Sequence, residues 1–393
     1  MKKAIQFGAG NIGRGFLAQL FSDSGYETVF IEINNQLVSL LNQKGNYPLR
    51  IVGNNPQELL VKNVRAVNIQ DIELVVKEII EADIVSTAVG VNVLPKIAPV
   101  VAKGVTARAK LNIEKPLNII ICENLLHAGS IFKNYIKLNI EKGYEKYLDS
   151  HIGFVESVVS RMIPVMDEKL KNEDPLLILA EEYNILPVDK RGFIGEIPCI
   201  KNMIPYDNLE AYEEQKLFIH NLGHAVSAYL GYLKKYQYIW QAINDSEIKN
   251  IVEGALKESG EALNKKHGFT EDEQQSYIND LLKRFANRDL GDTVYRVGRD
   301  PIRKLGPNDR FIGSAKLALE YGIIPENICA GIAAALCYDY SGDNQAVDLS
   351  KELKTKGIDM ILEKICCINS DSKLTKLIKE KFKLFVKKYK DFI

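Results

Sequence analysis

The chain has 393 residues, 46% hydrophobic and 26% charged, the profile of a soluble globular protein with apolar material for two or three domains. Its 51 Lys and Arg balance 51 Asp and Glu, which argues against a broad nucleic-acid or membrane footprint. Residues 1–20 lack a signal peptide's long apolar core and cleavage site, and no run of about 18 apolar residues marks a membrane span. Six cysteines without a CxxC pair, most in apolar runs, read as reduced, buried thiols of a cytoplasmic protein.

In chain order, "KAIQF" predicts a strand and 11–24 a helix, then "TVFIEI" a strand and 34–44 a helix. Residues 46–66 read as an added pair of short strands. The amphipathic "DIELVVKEIIEA" precedes a strand at "DIVSTAV" (83–89). A further helical span precedes "LNIIICEN" (117–124), and "IGFVESVVS" (152–160) adds another strand. Strands alternating with helices predict βαβ units and a mostly parallel sheet. Beyond a Gly-, Pro- and Asn-rich linker, "GFIGEIPCIKNMIPYDN" (192–208), the rhythm changes to helical periodicity over 208–233, 237–265, 270–286, 308–321, 325–337 and 346–364. The tail, 370–393, keeps Leu374, Leu377, Ile378, Phe382, Phe385 and Tyr389 at helical spacing among eight lysines. It reads as a docked terminal helix with a solvated basic face.

Four glycines crowd positions 8–15. Residues 8–13, Gly8-Ala9-Gly10-Asn11-Ile12-Gly13, form a GxGxxG between the first strand and the first helix, the context that dinucleotide binding requires. Gly8 allows the tight turn, Gly10 lets the backbone approach a pyrophosphate, and Gly13 lets helix and strand pack closely. The helix N-terminus, entered through Ala9, Asn11 and Ile12, supplies N–H groups for the phosphates. Glu32 closes the second strand nineteen residues after Gly13. A carboxylate there accepts from the ribose hydroxyls and repels a 2′-phosphate, favouring NAD over NADP. Thr87, Val89 and Gly90, in "STAVG", are placed to line the nicotinamide side, although an ordinary strand-to-helix turn would read the same way. The fold class is therefore an α/β, Rossmann-like, doubly wound domain over residues 1–200, followed by a mainly α-helical domain over 201–393.

In the second half, "EEQKLFIHNLGHAVSAYL" (213–230) carries Lys216, Asn221 and His224. On a regular helix these fall at about 0°, 140° and 80°, with His220 near 40°. One broad face then presents an amine, an amide and an imidazole, while Leu217, Leu222 and Ala225 supply packing. Taken alone, the triple also fits a polar surface face.

Here the chain resembles the polyol-specific long-chain dehydrogenase/reductase family over nearly its whole length. The landmarks are "FGAGNIGRGF", "NIIICENL", "GFVESVVSRMIP", "KLFIHNLGHAVSAYLG" and "RVGRDPIRKLGPNDRFIG", and Lys216, Asn221 and His224 match the family's K-x4-N-x2-H signature. The resemblance implies a general acid/base at Lys216, amide donors to the reacting oxygen at Asn221 and Asn124, and a substrate-orienting imidazole at His224. It also implies NAD as cofactor, a monomer, and interconversion of D-mannitol 1-phosphate and D-fructose 6-phosphate. An unphosphorylated polyol, a hexuronate, or a catalytically silent NAD-binding regulator are the alternatives. No metal is expected. Only His220 and His224, at i, i+4, have ligand spacing, and Lys216 already supplies a base.

Arg296, Arg299 and Arg303 lie in a basic strip with Lys304 and Arg310 and are candidates to hold a substrate phosphate. The competing reading pairs them with Asp300, Asp309 and neighbouring acids. Two departures from the family pattern bear on the substrate. Ser160 in "VVSRMIP" stands where an Asp is usual, and "CENLLHAG" has His127 where phosphate-specific members tend to have Arg.

Overall fold

The structure, a computed structural model, describes residues 1–389 apart from Asn54, Val165 and Asp167. The chain divides into two compact units, Met1–Leu209 and the residues from Glu210 onward.

The first unit is built on a six-stranded, all-parallel sheet. Its strands are β1 (Lys2–Phe7), β2 (Tyr26–Glu32), β5 (Val64–Asn68), β6 (Ile84–Thr87), β7 (Leu117–Ile121) and β8 (Ile152–Glu156), in the order β5-β2-β1-β6-β7-β8. The chain steps outward from β1 to β2 and β5, then returns to the other side of β1 with β6. The strand order thus reverses between β1 and β6, where open parallel sheets place their ligands.

The apolar runs follow from burial on both faces. Ile5, Phe7, Ile119 and Ile121 pack with Leu94, Ile97, Val101 and Phe132 on one face. Their neighbours Ala4, Ile84 and Ile120 pack with Phe16, Leu20 and Phe21 on the other.

Residues 46–66 depart from the expected strand pair. β3 (Asn46–Val52) and β4 (Gln57–Lys62) do form an antiparallel pair. β9 (Ile178–Glu181) extends it into a separate three-stranded sheet by pairing parallel to β3. One turn residue later, β5 leaves that sheet and joins β2. The reason is burial: Val64, Ala66 and Val67 are enclosed, whereas Gln57, Glu58 and Lys62 of β4 face solvent. β10 (Leu186–Asp189) and β11 (Met203–Tyr206) make a short parallel pair.

The second unit is helical. Its first long helix runs through Leu209–Gln215, a π-helical turn at Lys216–His220, and Asn221–Leu233. The expected helix 237–265 is two helices, Ile239–Asn244 and Ser246–His267. They are separated at Asp245, whose Oδ1 accepts the N–H groups of Glu247 (3.0 Å) and Ile248 (3.1 Å) as an N-cap. Glu271–Phe285, Ile312–Glu320, Glu326–Leu336 and Asn344–Lys364 follow, the last kinked at Gly357. Ile219, Leu222 and Val226 of the first helix are buried, as are Val252, Leu256, Ile332 and Ala333. The terminal helix Lys373–Lys388 buries Leu374 and Ile378, and Lys381 pairs with Glu326 at 2.5 Å. Residues 390–393 of the expected tail helix lie outside the described residues. Among the described residues no helix is long and apolar enough to cross a membrane.

Candidate active site

At the end of β1 the backbone turns at Gly8 (φ +89°), and the Gly8 N–H donates to Ile31 O at 2.9 Å. A Cβ on Gly8 would come within 2.6 Å of Ala88 O, and one on Gly13 would strike Gly8 O. The protein's own packing therefore excludes side chains at both positions. Gly10 differs: nothing lies within 4 Å of where its Cβ would sit, so the bare backbone there faces open space. Asn11, Ile12 and Gly13 lead into the helix, whose first-turn N–H groups lack intrahelical acceptors and carry the positive end of its dipole. Together these features fit a dinucleotide's diphosphate.

Three backbone donors converge on Glu32. Oε2 accepts from Ala9 N–H (3.0 Å), and Oε1 accepts from Ile33 (2.8 Å) and Asn34 (3.0 Å). The carboxylate thus sits between the glycine loop and the end of β2, where a ribose-binding acid is needed. The loop is braced from beneath. Gln6 Nε2 donates to Phe7 O, and Arg14 Nε donates to Ala9 O at 2.7 Å while its NH1 reaches Leu176 O.

Thr87 ends β6 fully buried, and the chain turns through Val89 and Gly90 (φ +92°). Both turn N–H groups are taken by one side chain: Glu123 Oε1 accepts from Val89 at 2.8 Å and Oε2 from Gly90 at 2.9 Å. Burial raises the Glu123 pKa, and these hydrogen bonds oppose the rise. Asn124 follows in an exposed position. His127 is also exposed, with left-handed backbone (φ 56°) just before the helix Ala128–Lys137. Ser160 is buried beside Arg161, whose guanidinium donates to Glu181 O, Gly15 O and Gln19 Oε1. That corner ties β9 to the glycine-loop helix.

In the second unit the π turn begins at Lys216. A π turn holds more residues than an α turn, so angles computed at 100° per residue do not carry across 216–220. The expected wheel positions of Lys216 and His220 relative to Asn221 and His224 are corrected accordingly. π turns inside α-helices often mark functional sites. Lys216 is half-buried and its pKa falls to about 8. Burial is the first cause and the Arg310 charge the second, with Glu213 opposing. His220 is buried, held well below its ordinary range by burial and the nearby Arg284 charge, and its Nδ1 has no hydrogen-bond partner among the described residues. Burial also lowers the His224 pKa, against the pull of Asp292, whose Oδ2 lies 3.3 Å from His224 Nε2. The Phe285 ring stacks on His224 at 4.9 Å and meets His220 edgewise at 5.7 Å. Asn221 is half-buried, one residue past the π turn. The arrangement brings the amine down to a pKa near 8 and keeps both imidazoles uncharged beside the Phe285 ring, so that Lys216 is the group poised for proton transfer.

Asp292 is buried. Burial alone would raise its pKa, but His224 and Arg296 outweigh that and lower it. The Arg296 guanidinium is thus engaged by Asp292. Arg303 pairs with Asp309 at 3.2 Å. The Arg299 guanidinium is exposed, with no ion pair or hydrogen bond among the described residues. Lys304 is buried, and burial, with Arg310 and Arg303 nearby, lowers its pKa to about 7. Its Nζ donates to Val297 O and Arg299 O.

Sequence reasoning missed the roles of Asp292, Arg310 and Glu123. Asp292 and Arg310 come from segments far along the chain, and only folding brings them to the Lys216 helix. Glu123 stood inside the quoted "CENL", yet nothing local showed which strand end it would reach.

A parallel-sheet unit with an open glycine cradle, joined to a helical unit carrying a lysine of low pKa, defines a dehydrogenase of the Rossmann type. The chain belongs to the mannitol dehydrogenase family: the family models described as "Mannitol dehydrogenase Rossmann domain" and "Mannitol dehydrogenase C-terminal domain" match residues 2–202 and 208–383. It is 42% identical over 381 residues to a mannitol-1-phosphate 5-dehydrogenase of Geobacillus stearothermophilus, covering 96% of this chain and 98% of the relative. It is likewise 42% identical over 383 residues to one of Thermoanaerobacter pseudethanolicus, covering 98% of each. Among solved structures it resembles D-sorbitol dehydrogenase in substrate-free form (TM-score 0.82, 17% identity, 98% of this chain and 93% of that one). It also resembles Pseudomonas fluorescens mannitol 2-dehydrogenase in ternary complex with NAD and D-mannitol (TM-score 0.72, 14% identity, 97% and 91%). At these identities the structural likeness speaks for the fold alone.

Proposed function

We propose that this chain interconverts D-mannitol 1-phosphate and D-fructose 6-phosphate with NAD(H), as a monomeric cytoplasmic enzyme. Residues 1–200 would hold the cofactor and 201–393 would supply substrate contacts and proton transfer. The observation that carries the reading is Lys216, a half-buried amine with a pKa near 8 in a π turn. The relatives named mannitol-1-phosphate 5-dehydrogenase support the substrate.

The cofactor fit rests on the open space over Gly10 and on Glu32. When bound, NAD accepts or returns the hydride. Gly8 to Gly13 cradle the diphosphate, Glu32 accepts from the adenosine ribose, and Thr87, Val89 and Gly90 line the nicotinamide side. Neutral Lys216 Nζ takes the proton from the substrate hydroxyl during oxidation, and the ammonium returns it during reduction. The amide N–H of Asn221 donates to the reacting oxygen as charge develops on it, the role that the family resemblance also gives to Asn124. His224, set by Asp292, orients the substrate hydroxyl. Arg299, with Arg296 and Arg303 beside it, meets the phosphate.

The test is the rate of NADH oxidation with fructose 6-phosphate, fructose and a keto-hexuronate, each also run with NADPH. The proposal expects fructose 6-phosphate with NADH to give the highest kcat/KM. A preference for either unphosphorylated sugar overturns the substrate, and no turnover with any of them overturns the enzyme reading.

A further inference from the structure

Buried carboxylates are rare unless their charge has work to do or partners to satisfy it. Glu123 is 9% exposed, and both its oxygens are engaged by consecutive backbone N–H groups, those of Val89 and Gly90. Successive N–H groups in a turn with a left-handed residue form a small anion-binding concavity. In this turn the anion is supplied from within the protein, from the loop after β7. The Glu123 backbone is held in turn: Cys122 N–H donates to Thr87 O at 3.0 Å, and Cys122 Sγ accepts from Ser157 Oγ at 3.2 Å. Two loops at the carboxyl ends of β6 and β7 are therefore tied together through one side chain, beside the position where the strand order reverses. Around Gly90 a Cβ would meet nothing within 4 Å, so the far side of the turn is open.

We propose that Glu123 is a positioning residue that sets the Val89–Gly90 turn to receive the nicotinamide half of the cofactor and, through the same loop, sets the neighbouring Asn124. This rests on the dinucleotide reading of the first unit. Glu123 touches neither substrate nor cofactor; it acts by holding two backbone amides in a fixed geometry. Its action is local to one half of the cofactor, because the adenosine half is served by Glu32 and the glycine loop, which have their own hydrogen bonds.

The experiment compares the binding of NADH and of ADP-ribose, which lacks the nicotinamide, to wild type and to Glu123→Gln by calorimetry. The amide can accept from one of the two N–H groups but turns an NH2 toward the other. The expected result is a ten- to hundredfold weaker NADH affinity, roughly the equivalent of one charged hydrogen bond. ADP-ribose affinity stays within about twofold, as befits ordinary scatter for an untouched subsite. Glu123→Asp keeps the charge on a shorter arm and recovers part of the NADH affinity. If the Gln variant does not fold, the Asp variant is read by the same split. Equal losses for both ligands, or no loss for either, overturn the proposal. A wild type that binds neither ligand overturns the dinucleotide reading and the proposal with it.

Discussion

Replacing Lys216 by Met separates what the lysine does for catalysis from what it does to stability. The fall of its pKa from the ordinary lysine value to about 8 corresponds to roughly 3 kcal/mol of disfavoured charge in the folded state. The side chain is half-buried, so solvent screening reduces the amount recoverable on removing the charge to about 1–2 kcal/mol. Met keeps the length and apolar character of the stem, so the variant should be more stable than wild type at pH 7 by that amount. The pH dependence has a defined sign. Below pH 8 Lys216 is protonated in both folded and unfolded chains, and the destabilisation is fully present. Between the folded value and the higher unfolded one the unfolded chain binds more protons, so wild-type stability rises with pH and the difference between the two proteins closes. The single tryptophan, Trp240, lies in the second unit with the Arg288 guanidinium 4.5 Å over its ring, so urea titrations followed by its fluorescence report on that unit. Activity should move the other way, with kcat falling by at least about 10²–10⁴, the contribution of a positioned acid/base. Equal or lower stability at pH 7 would refute the desolvation argument, and wild-type turnover would remove Lys216 from proton transfer.

With Lys216 as the proposed acid/base, polyol oxidation should accelerate as pH rises through about 8, while ketose reduction, which would use the ammonium, should slow over the same range. Arg310→Met removes a cation that, after burial, helps push this pKa down and should move the midpoint of the kcat/KM profile upward; an unmoved midpoint would show that burial acts alone. Gly10→Val should leave thermal stability near wild type, because nothing lies within 4 Å of a Cβ at that position, yet weaken NADH binding about ten- to hundredfold in calorimetry. Gly13→Ala should instead lower the melting temperature, because its Cβ strikes Gly8 O. Arg299→Ala should lower kcat/KM for fructose 6-phosphate by about ten- to hundredfold and leave free fructose unchanged, whereas Arg296→Ala should lower both, because it strips Asp292, the partner of His224, of its arginine.

The alternation of strands and helices in the first unit was legible because a strand buried on both faces must be an unbroken apolar run. "LNIII" of β7 is nearly such a run, short and rich in β-branched Ile. β5 was not legible for a complementary reason. Only Asn63 separates it from β4, so residues 46–66 read as a single pair of short strands; which sheet β5 joins is decided by pairing with β2, which lies earlier in the chain. The break at Asp245 was hidden in a similar way. A polar residue is unremarkable on a helix's wet face, and the apolar spacing continues across it, so nothing local distinguishes a cap from a surface position.

The site divides along the same physical line. The glycine loop with Glu32, and the segment bearing Lys216, Asn221 and His224, could be proposed from the sequence because each lies within one stretch of chain, although the π turn at Lys216–His220 changes the spacing expected for the second. The sequence names an amine on a helix, but whether that amine can act as a base near neutral pH depends on its removal from water and on Arg310, and its neighbour His224 depends on Asp292. Neither partner is near in the chain. The basic strip shows the converse. Charge density located five cations between residues 296 and 310, yet folding engages Arg296 with Asp292, Arg303 with Asp309, Arg310 with Asp309, and Lys304 with backbone carbonyls. Of the three arginines first considered for the phosphate, Arg299 alone keeps its guanidinium unengaged among the described residues. A strip that read as five equivalent cations therefore discriminates by geometry, and the comparison of Arg299→Ala with Arg296→Ala tests that discrimination directly.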